Sequence, residues 1–222
     1  PEFCSPRRQA ALSRVELLEV FRADDGQDPM PAVDLHLEQA RRYGRDMLAL
    51  GLTPQVLLQQ SLASAEPLRT FLALLDTVGG YKEDPLRKKS SLLAMILNAR
   101  PERFLPLRDD EQVPPVVDYH ALRSCLRMGL VDVVDEQLRK KLLHRQVVSA
   151  SEEWAVRYPA YLAIGRLVEW SGKSTCAVDQ YLFNARRRCP EMSEPECAGC
   201  EMDAVCAHRK GLFQPVVRTT FY

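Results

Sequence analysis

An all-α fold is predicted from three observations. Apolar residues recur at three- and four-residue spacing in one segment after another, no stretch alternates with a period of two, and the breaks between segments carry helix-start and helix-stop residues. Of the 222 residues, 46% are hydrophobic, enough for one large or two small cores. Charged residues interrupt every apolar run well short of the roughly twenty residues that a membrane-crossing helix needs. The chain is therefore expected to be soluble and without a membrane partner. Thirty basic residues balance thirty acidic ones, which excludes a strong overall pull on a polyanion and leaves only local patches for nucleic-acid contact.

The first seven residues, opening Pro1-Glu2-Phe3, read as a start that stands outside the fold. From Arg8 to Arg22 the spacing of Ala11, Leu12, Val15, Leu18 and Val20 predicts a single amphipathic helix, and Ala23 to Pro31 a loop. A second helix over 33–50 ends at Gly51, and Thr53-Pro54 starts a third as N-cap and first helical residue. Helices over 54–63 and 66–77 follow, Gly79-Gly80 marks a turn, and Asp84-Pro85 opens a helix that runs to Ala99. The polar, proline-bearing stretch 102–115 is the best linker. Beyond it helices are expected from Asp118 and over 132–146, 151–171 and 174–187. Trp154, Tyr158 and Tyr161, at i, i+4 and i+7, are expected to face the core, although such rings also stack on bases. His36, His120 and His144 read as ordinary polar residues.

Four of the seven cysteines, Cys189, Cys197, Cys200 and Cys206, fall within eighteen residues as C-x7-C-x2-C-x5-C. Soft sulfur at that density selects zinc or an iron-sulfur cluster. Structural zinc usually takes two C-x2-C knuckles, and only one is present, so the unequal spacing favours a 4Fe-4S cluster. Zinc is the runner-up, with His208 available to replace one cysteine. Cys4, Cys125 and Cys176 are scattered and no secretory signal precedes them, which points to a reducing compartment, cytoplasmic or nuclear.

The tail resembles the cluster loop of the endonuclease III-like helix-hairpin-helix DNA glycosylases, which reads C-x6-C-x2-C-x5-C. Pro195-Glu-Cys197-Ala-Gly-Cys200-Glu-Met-Asp-Ala-Val-Cys206 carries the likeness, with a first gap one residue longer here. A second segment, Val117-Asp118-Tyr119-His120-x-x-Arg123-x-x-x-Arg127-Met128-Gly129, is similar to the family's V-D-T-H-V-x-R-x-x-x-R-L-G, with tyrosine in place of threonine. The resemblance implies a two-lobed helical glycosylase-like domain over residues 8–188, a cluster loop and tail over 189–222, and a catalytic carboxylate at Asp118. On the residues alone, Asp118 is equally well explained as a helix N-cap. The family's hairpin signature L-P-G-V-G-x-x-T-A is absent, and only Val78-Gly79-Gly80 hints at a phosphate-holding turn.

A weaker resemblance links residues 85–183 to the queuosine-salvage glycosidases. Their D-Y-R-V-P, K-R-A-Q and E-V-E-I-R elements are similar to Asp118-Tyr119-His120, Lys88-Lys89-Ser90-Ser91 and Glu153-Trp154-Ala155-Val156-Arg157. Together the two likenesses imply an N-glycosidic bond hydrolase that acts as a monomer on a modified or damaged base in DNA, or on a free modified nucleotide. A non-catalytic nucleic-acid-binding iron-sulfur module is the third possibility. Lys88 and Lys89 are candidates for an amine that attacks the sugar carbon. Arg186, Arg187, Arg188, Arg209, Lys210, Gly79 and Gly80 are candidates for phosphate contacts.

Overall fold

The computed structural model describes residues 3–27 and 31–222. Residues 1–2 of the expected start, and residues 28–30 of the expected first loop, lie outside them. The described chain is helical without strands; only Val147 and Val216 meet in an isolated parallel bridge. It divides into two compact units, one over residues 1–111 with Phe221, the other over 112–220 with Tyr222. The boundary falls inside the expected linker.

In the first unit, helices α1 (Pro6–Ala10) and α2 (Arg14–Phe21) replace the single helix expected over 8–22. Ser13 breaks the run: its hydroxyl accepts from the Glu16 amide while the Glu16 carboxylate accepts from the Ser13 amide, a reciprocal cap that starts a new helix. The segment from Phe3 to Arg7 belongs to the fold, since Ser5 caps α1 and Phe3 packs beside Leu12, Leu17, Val33 and Leu37. Helix α1 crosses α3 (Val33–Ala49) at Gly44, where a Cβ would stand 2.2 Å from the Ala10 amide nitrogen, so no larger residue fits.

Helices α4 (Pro54–Leu62) and α5 (Pro67–Leu75) start at prolines, the first capped by Thr53 as expected, the second by Glu111, whose carboxylate accepts from the Leu68 amide at 2.7 Å. Helix α6 (Lys88–Ala99) begins three residues after Pro85, because Asp84 to Arg87 form a turn that ends with Arg87 in the left-handed region at φ 55°. Asp84 accepts from the amides of Leu86 and Lys88 and so closes that turn onto the helix.

The second unit is built around α7 (Tyr119–Met128), in which seven consecutive residues, Ala121 to Arg127, are buried. Helices α8 (Glu136–Leu143), α9 (Ala150–Ser171) and α10 (Thr175–Ala185) follow. Val117, Leu122 and Leu126 meet Leu138, Leu142, Val156, Ile164, Leu182 and Leu212 in one core. Each fully buried leucine contributes about 2 kcal/mol of transfer free energy. The inward face of α9 carries Glu153, Val156, Arg157, Ala160, Ile164 and Val168. That face turns Trp154 and Tyr158 outward, contrary to the expectation that they are core; their rings stack on each other at 5.3 Å on the surface, and only Tyr161 packs on the core. The cysteine loop, with short 3-10 turns at Cys197–Gly199 and Asp203–Val205, belongs to this second unit and is not a separate piece.

Candidate metal centre and acid site

The C-terminus of α7 is where the cysteine loop attaches. A helix end leaves carbonyls without intrahelical donors, and here the Ala207 amide donates to Met128 O at 3.1 Å and the Arg209 amide to Arg127 O at 3.0 Å. Gly129 ends the helix at φ +83°, and a Cβ there would meet the Ala207 Cβ at 2.7 Å. The close approach of the tail therefore depends on that glycine.

Arg127 is buried and holds three points of the tail. Its Nε donates to Leu212 O at 3.0 Å, and its Nη1 donates to Pro190 O at 2.8 Å and to Cys189 Sγ at 3.3 Å. Cys206 Sγ accepts from the His208 amide at 3.4 Å. Lys210, paired with Glu194 at 3.2 Å, has its pKa raised by that carboxylate and by Cys197. Two cations and a backbone amide thus face three of the four sulfurs.

All four cysteines of the sequence pattern, with Ser124, Arg127, Met128, Asp203 and His208, line one small cavity of about 40 Å³. Inside it Cys197 Sγ, an Asp203 carboxylate oxygen and a His208 ring nitrogen lie within 4.8 Å of one another, a group able to hold a metal ion; Cys189, Cys200 and Cys206 stand outside this closer group. His208 was legible from its spacing, but Asp203 was not, because one acid among several in an acidic loop carries no signal of its own. Cys125, at the centre of α7, is sealed in apolar surroundings that push its thiol up to about 12 and keep it inert.

Asp118 stands at the other end of α7 as its N-cap. Its Oδ1 accepts from the amides of His120 at 2.9 Å and Ala121 at 3.1 Å, and the side chain is half-buried. Around it lies a group of side chains whose meeting the sequence did not reveal, Tyr222 and Gln214 among them. Arg157, fully buried, donates from Nε to Val117 O at 3.3 Å and pairs with buried Glu153 at 3.7 Å. Tyr222 donates its hydroxyl to Glu153 Oε1 at 3.0 Å and lays its ring 4.8 Å from the Arg157 guanidinium; burial first, then Glu153, raises its pKa. Arg123, also buried, donates to Gln214 Oε1 at 3.1 Å and reaches His120 Nδ1 at 3.1 Å.

The remaining candidates are placed as follows. In the first unit Lys89 is half-buried with its amine 6.0 Å from the Tyr81 ring, and its pKa is lowered by burial, with Lys88 adding to the effect. Lys88 starts α6, its amide donating to Asp84. The Gly79 amide donates to Asp46 and the Gly80 amide to Glu83, both at 2.8 Å, so carboxylates of the chain itself occupy the turn expected to hold phosphate. In the second unit Arg188 pairs with Glu196 at 3.1 Å and Arg209 with Asp132 at 2.9 Å, while Arg186 packs on the Phe183 ring at 3.8 Å. Arg187 is exposed beside the cysteine loop. No helix is long and apolar enough to cross a membrane among the described residues.

No protein-family model matches the chain, and no curated protein matches it as a relative.

Proposed function

We propose that the second unit carries a 4Fe-4S cluster on Cys189, Cys197, Cys200 and Cys206, and that the chain hydrolyses an N-glycosidic bond with Asp118 as its catalytic carboxylate. The observation that carries this reading is α7 itself: one buried helix bears the candidate acid on its first turn and the cysteine cavity at its last. Zinc bonded to thiolates at about 2.3 Å would draw four sulfurs to within roughly 4 Å of each other. A grouping at that scale takes in one cysteine with Asp203 and His208, while all four cysteines line the same small cavity. Arg127 and Lys210 offset the negative charge of such a centre, and donors to the sulfurs tune it. When bound, the cluster ties four points of the loop into one.

At the other end of the helix, the chemistry belongs to the chain's own residues. A carboxylate held by two backbone amides at a helix N-terminus is fixed in direction. Facing a sugar ring, it stabilises the positive charge that develops as the base departs and orients the water that replaces the base.

Capping and catalysis are separable by mutation, because asparagine caps as well as aspartate but carries no charge. Asp118→Asn is expected to leave the thermal unfolding midpoint in place and to abolish base release from a panel of DNA duplexes with modified bases and of free modified nucleosides, read by mass spectrometry. Asp118→Ala is expected to lose activity and also about 1 kcal/mol of stability. Full base release by Asp118→Asn would reduce Asp118 to a cap.

One observation favours a free nucleotide over DNA as substrate. Of the seven candidate phosphate contacts, Arg188, Arg209, Gly79, Gly80 and Lys210 are engaged by carboxylates of the chain. A surface already neutralised releases few counterions, so the logarithm of DNA affinity is expected to fall with the logarithm of salt at a slope shallower than about −3. A steep slope of −6 or beyond would return the reading to duplex DNA.

A further inference from the structure

The cysteine cavity holds a second donor set that the four-sulfur reading leaves unused. Asp203 and His208 contribute nothing to a cluster bound by cysteines, yet their side chains converge: His208 Nε2 and Asp203 Oδ1 lie 2.8 Å apart, and a ring nitrogen of the one and a carboxylate oxygen of the other sit within 4.8 Å of Cys197 Sγ. The two residues come from different turns, Asp203 from the short turn Asp203–Val205 and His208 from a position beyond Cys206 at φ 50°.

Zinc takes imidazole nitrogen at about 2.0–2.1 Å, carboxylate oxygen at about 2.0–2.2 Å and thiolate at about 2.3 Å in a tetrahedron. Ligand atoms on such a tetrahedron stand roughly 3.3–3.8 Å apart. The histidine and aspartate need to open by only about half an ångström, and Cys197 to close by no more than about one. The mixed sulfur, nitrogen and oxygen set fits a borderline-soft divalent ion and excludes magnesium and calcium, which take oxygen alone.

We propose that Cys197, Asp203 and His208 form a zinc site, with water as fourth ligand, and that zinc and the iron-sulfur cluster exclude each other because both require Cys197. The exclusion rests on the cluster reading given above; the zinc site does not. In the zinc-bound form Cys197 is a thiolate, its proton having passed to solvent, Asp203 a carboxylate and His208 a neutral ring. No electron is transferred. The loop is thereby a choice between two metals: zinc draws Cys197 toward His208 and withdraws it from the other three sulfurs.

The two sites have opposite mutational signatures, and both variants on the zinc side alter partly exposed side chains. The test uses the whole chain of residues 1–222, reduced and metal-free, with zinc titrated against a chromophoric chelator and cobalt(II) as a spectroscopic stand-in. One equivalent is expected to bind, with sulfur-to-cobalt charge-transfer absorption from a single thiolate. His208→Ala and Asp203→Asn should each weaken zinc by more than about tenfold, while Cys189→Ser leaves zinc affinity unchanged. Anaerobic reconstitution with iron and sulfide should show the reverse: Cys189→Ser takes up no cluster, His208→Ala takes up a full one. Zinc-loaded wild-type chain should refuse the cluster until the zinc is chelated. Circular dichroism confirms that each variant is folded.

Zinc affinity indifferent to His208 and Asp203, or lowered as much by Cys189→Ser as by Cys197→Ser, overturns the zinc site. Cluster uptake by zinc-loaded chain without zinc release overturns the exclusion. A wild-type chain that takes no iron under any condition, yet binds zinc with the expected dependence on His208, sinks the cluster reading and leaves the zinc site standing.

Discussion

His120 owes its chemical form to Arg123. A guanidinium can only donate hydrogen bonds, so Nδ1 of His120, 3.1 Å from Arg123, accepts, and the proton of the neutral ring sits on Nε2. Burial, the largest influence, lowers the pKa of this histidine; Arg123 and Arg186 push the same way, and Asp118 and Glu191 oppose them. Protonation therefore costs more in the folded chain than in the unfolded one. Above the ordinary value near 6.5 the ring is neutral in both states and contributes nothing. As pH falls from there through the depressed folded value, the fold loses stability. A proton-detected titration of the His120 ring is expected to give a midpoint below 6.5, with Nε2 as the protonated nitrogen of the neutral form; a midpoint at or above that value contradicts the argument. Sequence reasoning placed His120 among ordinary polar residues and used Arg123, Arg127, Glu153 and Arg157 only as motif positions without foreseeing their burial, because charged residues are almost never fully enclosed. The exception arises from carbonyls and carboxylates that come together only in three dimensions: Leu212 O and Pro190 O for Arg127, Val117 O and Glu153 for Arg157. Neither partner set is near its arginine in the chain, apart from Glu153 one helical turn before Arg157.

At the scale of elements, the parts that were legible are those decided locally. The starts of α4 at Thr53-Pro54 and of α7 at Asp118 follow from capping residues, and the end of α6 near Ala99 from its apolar spacing; these were read correctly. The break between α1 and α2 was missed because an apolar spacing that continues through Leu12 conceals the reciprocal cap at Ser13 and Glu16. The exposure of Trp154 and Tyr158 was missed for a different reason: hydrophobic spacing alone assigned the inner face, while Glu153 and Arg157, one residue away from each ring, took the interior through their ion pair. The junction between α7 and the tail yields a test at this scale. Gly129→Ala combines a left-handed backbone with a methyl group 2.7 Å from Ala207, so a loss of about 1–3 kcal/mol in unfolding free energy is expected. The same variant should retain less iron after purification, because the displaced Ala207 and Arg209 amides carry Cys206 with them. Unchanged stability together with unchanged iron content would remove Gly129 from the account of the centre.

Across the whole molecule, the division near residue 111 was visible as a polar, proline-bearing stretch, and the helical class as a uniform periodicity. The attribution of the cysteine loop to the second unit was not visible, since it rests on hydrogen bonds spanning 78 to 91 positions, such as those of Arg209, Arg127 and Arg123. Removing bound metal should loosen that attachment first. Hydrogen exchange of the Ala207 and Arg209 amides is expected to quicken after chelation, more than that of the Gly79 amide in the first unit, which Asp46 holds. Equal acceleration at all three positions would mean that the metal stabilises the chain as a whole and not the loop in particular. The enclosure of α7 also bears on how the protein is made. Two of the seven buried residues of that helix, Arg123 and Arg127, are satisfied by Gln214 and Leu212, which leave the ribosome more than eighty residues later, so a nascent chain carries the helix finished but these guanidinium groups unmatched. At about 5–20 residues per second that interval lasts several seconds, during which the apolar side of α7 and both guanidinium groups are open to chaperones. Metal delivery to the cysteines belongs after this wait, because the Ala207 and Arg209 amides that fasten their loop to α7 are synthesised some eighty residues after that helix.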